Sequence, residues 1–263
     1  YERQVFLIKE AIKVRHIRVI GIGAGNPQHI TLEAISALQG ADAVLALDKG
    51  EIKADLLQLR QLIVDTHAPE VPIVTVDDPP RDRYPRNYSS EVRRWHQARA
   101  QLLNDALVNA VSEDGTAAFL VWGDPSLYDS TLRIIDHMRE TCGLECDVSV
   151  VPGVTAVQVL TAAHGITINR IGEAIHITTG RNLHATSEKD RRNCVVMLDG
   201  GAAWQDAHTE HTYIWWGAYL GTPQQELRHG YVKDVGDEIA GLKASLREEH
   251  GWIMDTYLLR EVD

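Results

Sequence analysis

The chain has 263 residues, 44% of them hydrophobic, and 26 Lys and Arg against 37 Asp and Glu give a formal net charge of −11. That length suits two domains or one large one, and the apolar share suits sizeable cores. The acidic balance argues against a nucleic-acid partner, which calls for a basic surface to displace counterions. No apolar run approaches the roughly 18 residues of a membrane-spanning helix and no signal peptide is apparent, so a cytoplasmic chain with no membrane partner is expected. Cys142, Cys146 and Cys194 are an odd count with no paired framework, which fits a reducing compartment, and no Cys or His spacing makes a metal site.

Residues 1–14 could form a short helix with Val5, Ile8 and Ile12 on one side. A first strand over 16–22 runs into Gly21-x-Gly23-x-Gly25-Asn26-Pro27. Thr31 then opens a helix with Leu32, Ile35 and Leu38 inward, ending at Gly40. A strand over 43–47, a helix over 52–66 and a strand over 71–76 follow. Pro79, Pro80 and Pro85 forbid regular structure in the next segment, which carries Arg81, Arg83 and Arg86. A helix over 90–112 comes next, with Val92, Trp95, Leu102, Ala106 and Ala110 inward and Arg93, Arg94 and Arg99 in its first half.

The apolar run 117–122 reads as a strand buried on both faces, as in a parallel sheet. It meets Gly123-Asp124-Pro125, where glycine permits a sharp turn, Asp124 can cap and Pro125 suits a first helical position; the helix is expected to run from Ser126 to Cys142. A strand over 145–151 ends in Pro152-Gly153-Val154-Thr155-Ala156, a second junction of the same kind, and opens a helix over 154–164. Alternating strands and helices predict crossover connections, and their carboxyl edge is the usual ligand crevice. From about 170 the rhythm changes. Strands are expected at 174–179, 193–198, 211–216, 229–235 and 250–258, with a charged loop over 186–193 and a helix over 234–249. The fold class is therefore α/β with two α/β domains, 15–152 on a parallel sheet and 153–263 on a mixed one.

Several chemistries can be weighed on residues alone. The dinucleotide fingerprint needs a third glycine that falls on Asn26 or Gln28, although Asp48 stands where a ribose-binding acid would belong. No Gly-x-Ser-x-Gly elbow is present. His208 and His211 have helical spacing without a further ligand set, and His96, His164 and His176 are isolated. Six arginines within nineteen residues, 81–99, are either a solvated surface or a cationic wall for a polyanion.

The glycine loop with Thr31 and Ala41-Asp42, then Gly123-Asp124-Pro125, then 151–156, resemble the three successive signatures of the tetrapyrrole (corrin/porphyrin) methyltransferases. Stretches at 47–50, 122–133, 176–181, 216–223 and 251–257 narrow the likeness to a corrin-pathway member, and the whole covers about 16–260. The resemblance implies the tetrapyrrole methylase fold and a homodimeric enzyme using S-adenosyl-L-methionine held in the cleft between its domains. It implies methylation of precorrin-5 at C1 with release of acetate, giving precorrin-6A. Carried over by motif, Gly123, Asp124, Leu127, Thr155, Ala156, Met197 and Gly221 would line the cofactor. Ala24 departs from a common proline, and Asn26 from a common aspartate.

Acetate release asks for a base and an oxyanion stabiliser. Asp129 or Asp48 are candidates for the base; Tyr128, Arg181 or backbone amides are candidates for the oxyanion. A substrate with acetate and propionate groups needs cations, for which Arg81, Arg83, Lys49 and Arg181 are expected. Three alternatives stay open: a superfamily relative with an RNA or diphthine substrate, a cofactor-binding protein without catalysis, and a nicotinamide-dependent dehydrogenase.

Overall fold

The computed structural model describes residues 13–48, 54–80 and 88–262. Residues 1–12 of the helix expected at 1–14 lie outside them, as do Lys49, Arg81, Arg83 and Arg86, and Lys13 and Val14 are not helical. The first half alternates β1 (Arg15–Gly21), α1 (Leu32–Gln39), β2 (Ala43–Asp48), α2 (Ala54–His67), β3 (Ile73–Asp77), α3 (Tyr88–Ala110), β4 (Thr116–Val121), α4 (Thr131–Cys142) and β5 (Cys146–Val151). Its five strands lie in the order β3-β2-β4-β1-β5, every pair parallel.

β4 is inside this sheet, which explains its unbroken apolar run. Ala117, Phe119 and Val121 join one core with Leu103 and Leu107 of α3 and Ile134, Ile135 and Met138 of α4. Ala118 and Leu120 join a second core with Ala34 and Leu38 of α1 and Leu59 and Ile63 of α2. Both faces are thus sealed, and each fully buried aliphatic side chain contributes about 1.5–3 kcal/mol of transfer free energy. Two helix faces differ from expectation. In α1, Leu32 is 83% exposed and Ala34 takes the inner place; in α3, Leu102 and Ala110 face out while Ala100, Leu103 and Leu107 face in.

The second half contains α5 (Ala156–His164), β6 (His176–Thr179), α6 (Gly180–Leu183), α7 (Glu188–Arg191), β7 (Asn193–Met197), β8 (Thr212–Ala218), β9 (Glu226–Tyr231), α8 (Val232–His250) and β10 (Asp255–Glu261). Its sheet order is β6-β7-β10-β8-β9, with β6 and β7 parallel and the other pairs antiparallel. One face packs Trp216 and Tyr257 against Trp204 and the Val232, Ile239 and Leu246 stripe of α8. The opposite face packs Val195 and Leu258 against Val157 and Leu160 of α5. Within the α8 core, Lys243 Nζ donates to Asp255 Oδ2 at 2.7 Å and to the Asp199 carbonyl at 2.7 Å, while Trp216 Nε1 donates to the same carboxylate at 2.9 Å.

Candidate active site

The carboxyl ends of β1, β4 and β5 are drawn together by glycine. Gly123 N donates to Gly23 O at 2.7 Å, and Gly23 N returns a bond to Gly123 O at 3.3 Å. A Cβ on Gly153 would lie 2.2 Å from Gly123 O, so only glycine lets these backbones approach. Gly153 N donates to Asp124 Oδ2 at 2.8 Å, and Asp124 Oδ1 accepts from Ser126 N at 2.8 Å and Ser126 Oγ at 2.5 Å. Burial opposes ionisation of Asp124, but the bonds from Ser126 and Gly153 outweigh it and hold the carboxyl below the ordinary carboxylate range. The glycine loop after β1 passes not into a helix but into a 3-10 turn at Pro27–His29, capped by Asn26 Oδ1 accepting from Gln28 N. No α-helix N-terminus therefore follows this loop directly, contrary to the dinucleotide alternative.

The helix expected from Ser126 begins only at Thr131. Tyr128 intervenes with a left-handed φ of 54°, which a continuous helix cannot contain. Asp124 is therefore a turn and crosslink residue rather than a helix cap. The second junction is as expected: Thr155 caps α5, Oγ1 accepting from Val157 N at 3.1 Å, while Gln158 Oε1 accepts from Thr155 N at 3.0 Å.

Because β6, β7 and β8 run in one direction, their carboxyl ends share one edge of the second sheet. That edge meets the glycine turns. Gly221, at φ 79°, abuts the Asn26 backbone, and a Cβ there would lie 3.0 Å from Asn26 N. Tyr128 Oη donates to Ile177 O of β6 at 3.4 Å. Leu127, Ala156 and Met197 pack on the α5 cluster beside Ala24 and Leu220. Structure thus brings Gly123, Asp124, Leu127, Thr155, Ala156, Met197 and Gly221 around one seam between the two sheets.

Asp129 lies at the neighbouring β2 and β4 edge. Its Oδ1 accepts from Thr131 N, the first N–H of α4, at 2.6 Å. It lines a cavity of about 70 Å³ with Arg60, Arg99, Ser130 and Leu47. Arg60 was not signalled by any motif: it sits on α2, and its Nε donates to Leu120 O at 2.8 Å. Burial lowers its pKa and Asp129 pulls it back up. Asp48 is half-buried at the end of β2, where its carbonyl accepts from Asp78 N at 2.9 Å. Arg181 is exposed in the first turn of α6.

The arginine wall is only partly a wall. Arg99 is 5% exposed, forks onto Asp78 at 2.6 and 2.5 Å and stacks 3.8 Å from the centre of the Trp95 ring, whose Nε1 donates to Pro79 O at 2.9 Å. Arg94 forks onto Glu91 at 2.8 and 2.6 Å. Arg94 also donates to Pro80 O at 3.4 Å, so Arg99 and Arg94 hold α3 and the start of the proline segment together, while Arg93 is exposed. A larger cavity of about 450 Å³ lies at the opposite edge of the second sheet, among Arg170, Arg191, Arg192, His208, His211 and Glu261, and shares no residue with the glycine turns. Among the described residues no group of three or more His, Cys, Asp or Glu is placed to hold a metal ion, and no helix is long and apolar enough to cross a membrane.

Comparison with known proteins agrees with this geometry. Residues 16–236 match the family model described as Tetrapyrrole (Corrin/Porphyrin) Methylases. A precorrin-6A synthase [deacetylating] from Sinorhizobium sp. is 40% identical over 250 residues, 94% of this chain and 96% of that protein. A crystal structure from Corynebacterium diphtheriae, described only as a cobalamin synthesis related protein (CobF), is 64% identical with a TM-score of 0.86, covering 95% of this chain and 100% of that one. A uroporphyrin-III C-methyltransferase of Thermus thermophilus, solved with S-adenosylhomocysteine, shares the fold at a TM-score of 0.58 and 16% identity, covering 93% of this chain and 92% of that one. With a matched region that begins in β1 and ends in α8, and with glycine turns and seam built as described, the chain belongs to the tetrapyrrole (corrin/porphyrin) methylases.

Proposed function

We propose that the chain is an S-adenosyl-L-methionine-dependent C-methyltransferase of corrin biosynthesis, converting precorrin-5 to precorrin-6A by methylation at C1 with release of acetate. The observation that carries this is the tie between the Gly123-Asp124 and Gly153-Thr155 turns, in a chain 40% identical to a precorrin-6A synthase [deacetylating]. The residues fit the cofactor. The nearest atom to a Cβ built on Gly123 is Thr155 Cα at 3.8 Å, so backbone alone lines that spot, and Leu127, Ala156 and Met197 supply apolar surface beside it. Gly123, Asp124, Leu127, Thr155, Ala156, Met197 and Gly221 would hold it. Bound there, the cofactor supplies an electrophilic methyl group.

The chain's own task is then alignment and exclusion of water, which can lower a barrier by roughly 7–11 kcal/mol. For acetate release we assign Asp129 or Asp48 as base to a water attacking the acetyl carbonyl, with the ring electrons as leaving group. Tyr128, Arg181 or backbone amides would meet the oxyanion. Arg81, Arg83, Lys49 and Arg181 would bind substrate carboxylates. Alanine at Arg81 and Arg83 should weaken tetrapyrrole binding more than cofactor binding, and equal loss of both in calorimetry would count against that assignment.

The same reading divides the chain at 152/153 and carries a cytoplasmic homodimer; a monomer in sedimentation would remove the dimeric part. The deciding experiment incubates the purified protein with precorrin-5 and the methyl donor. One acetate per methyl transferred is expected. Methyl transfer without acetate, or tight nicotinamide cofactor binding with none of S-adenosylhomocysteine, would overturn the function.

A further inference from the structure

The three non-glycine residues with positive φ among the described residues are Tyr128 at 54°, Leu198 at 52° and Tyr219 at 48°. Each lies in a connection at the seam between the sheets: Tyr128 after β4, Leu198 directly after β7 and Tyr219 directly after β8. Left-handed backbone is disfavoured for a residue with a Cβ, and such strain persists only where surrounding contacts over-determine it. Tyr219 has a visible structural reason, being 7% exposed with its hydroxyl donating to Trp252 O at 2.5 Å. Leu198 has none in its own side chain, which is 60% exposed.

Its backbone is nonetheless locked from below by the next residue. The buried Asp199 carboxylate accepts from Gly201 N, Ala203 N and Tyr257 Oη, each at 2.9 Å. The Asp199 carbonyl accepts from Lys243 Nζ at 2.7 Å, and a Cβ on Gly180 would strike the same carboxylate at 2.4 Å. A strained leucine is thus held outward at the carboxyl end of β7 by buried polar contacts beneath it.

Its neighbours identify what it meets. Thr179 pairs with Met197, so Gly180 and Arg181 leave β6 alongside Leu198 and Asp199 leaving β7. Two exposed residues, apolar Leu198 and cationic Arg181, therefore follow the paired ends of adjacent strands. On the other side, Tyr128 reaches Ile177, which pairs with Val195, three residues before Leu198. That spacing leaves roughly 10 Å along the strand between the tyrosine contact and the leucine. An apolar ring body edged with carboxylates matches this pairing, and the cofactor's own adenine and carboxylate are told apart from it by the S-adenosylhomocysteine affinity measured below.

We propose that Leu198 is a specificity-determining residue: its side chain packs on the apolar face of the tetrapyrrole while Arg181 meets a peripheral carboxylate. This rests on the substrate class proposed above. The test compares Leu198→Gly, Leu198→Ala and Leu198→Met. Glycine relieves the strained φ, so its Tm stays within about 2 °C of the parent or rises. Loss of the apolar contact raises the KM for precorrin-5 about ten-fold in both Gly and Ala variants, and Met restores most of it. The Kd for S-adenosylhomocysteine changes less than two-fold.

Uroporphyrin III serves as a stable probe, with Kd read by tryptophan quenching independently of turnover. It should weaken in parallel with KM. A Tm loss of more than about 5 °C in the glycine variant would make Leu198 structural. An unchanged tetrapyrrole affinity, or an equal loss of S-adenosylhomocysteine, would also overturn the proposal. Should the parent bind uroporphyrin III yet leave precorrin-5 unchanged, the proposed reaction fails and Leu198 is judged on porphyrin affinity alone.

Discussion

The carboxylate of Asp124 and the backbone N–H of Gly153 are joined at 2.8 Å, tying turns 29 residues apart in sequence into one wall. Asp124→Ala leaves that N–H and the Ser126 N–H without their acceptor, a cost of about 1–3 kcal/mol. Asp124→Asn keeps one oxygen and costs less. The pH dependence has a definite sign. The folded pKa lies below the ordinary carboxylate value near about 3.9, so ionised Asp124 contributes stability above that pH and loses it as pH falls through the lower folded value. Urea unfolding of parent and Asp124→Asn should show a gap at pH 7 that closes below about pH 4; a gap independent of pH would refute the charge-assisted tie.

Lys243 and Asp255 form a 2.7 Å ion pair with side chains 4% and 3% exposed, inside the core beneath α8. Removing one partner strands the other charge away from water. Lys243→Met should therefore destabilise by about 3–5 kcal/mol. The double variant Lys243→Met, Asp255→Leu should recover most of that loss, because two apolar groups leave no charge behind. Guanidinium unfolding gives both numbers. A double variant as weak as the single one would mean that the bonds to Asp199 O and Trp216 Nε1, not the charges, set the energy.

Burial pushes the Cys194 thiol up to about 12; Asp190 adds to this and Arg191 opposes it. Thiolate is the reactive form, so Cys194 should resist alkylation in the native protein. Iodoacetamide at pH 8 followed by peptide mapping should label the partly exposed Cys142 and Cys146 and spare Cys194. Labelling of Cys194 at a similar rate would show that this sheet opens readily.

The parallel half was legible because burial on both faces writes itself into β4 as consecutive apolar residues, and because Thr31 and Thr155 carry their caps in the sequence. Sequence expectation and structure part where tertiary contacts override local signals. Asp124-Pro125 looks like a helix start, but Asp124 spends one oxygen on Gly153, and the chain turns left-handed at Tyr128 before α4 begins. Tyr231-Val232 reads as strand, yet Val232 opens α8 because its side chain enters the core. Arg99 reads as a ligand cation, but its acceptor Asp78 lies 21 residues away and is reached only after α3 folds back on β3. Arg60 carried no signal at all, since a lone arginine on a helix looks solvated until its neighbours are known. The glycine turns were legible as motifs; their tie through Asp124 was not.

The general base can be isolated by substitutions that change charge and little else. Asp129 Oδ1 already accepts from Thr131 N at 2.6 Å, and an asparagine amide oxygen can take over that bond. Asp129→Asn should therefore keep Tm within about 2 °C while removing the carboxylate. Asp129 also shares its small cavity with Arg60 and follows Tyr128, whereas Asp48 ends a neighbouring strand and does not line that cavity. The expectation is that Asp129→Asn cuts acetate release by about 10²–10⁴-fold, the usual worth of a positioned base. Asp48→Asn should stay within about three-fold. Acetate measured enzymatically against methyl incorporation separates the two steps. If both variants release acetate at the parental rate, neither carboxylate is the base, and the attacking water must be activated by another group.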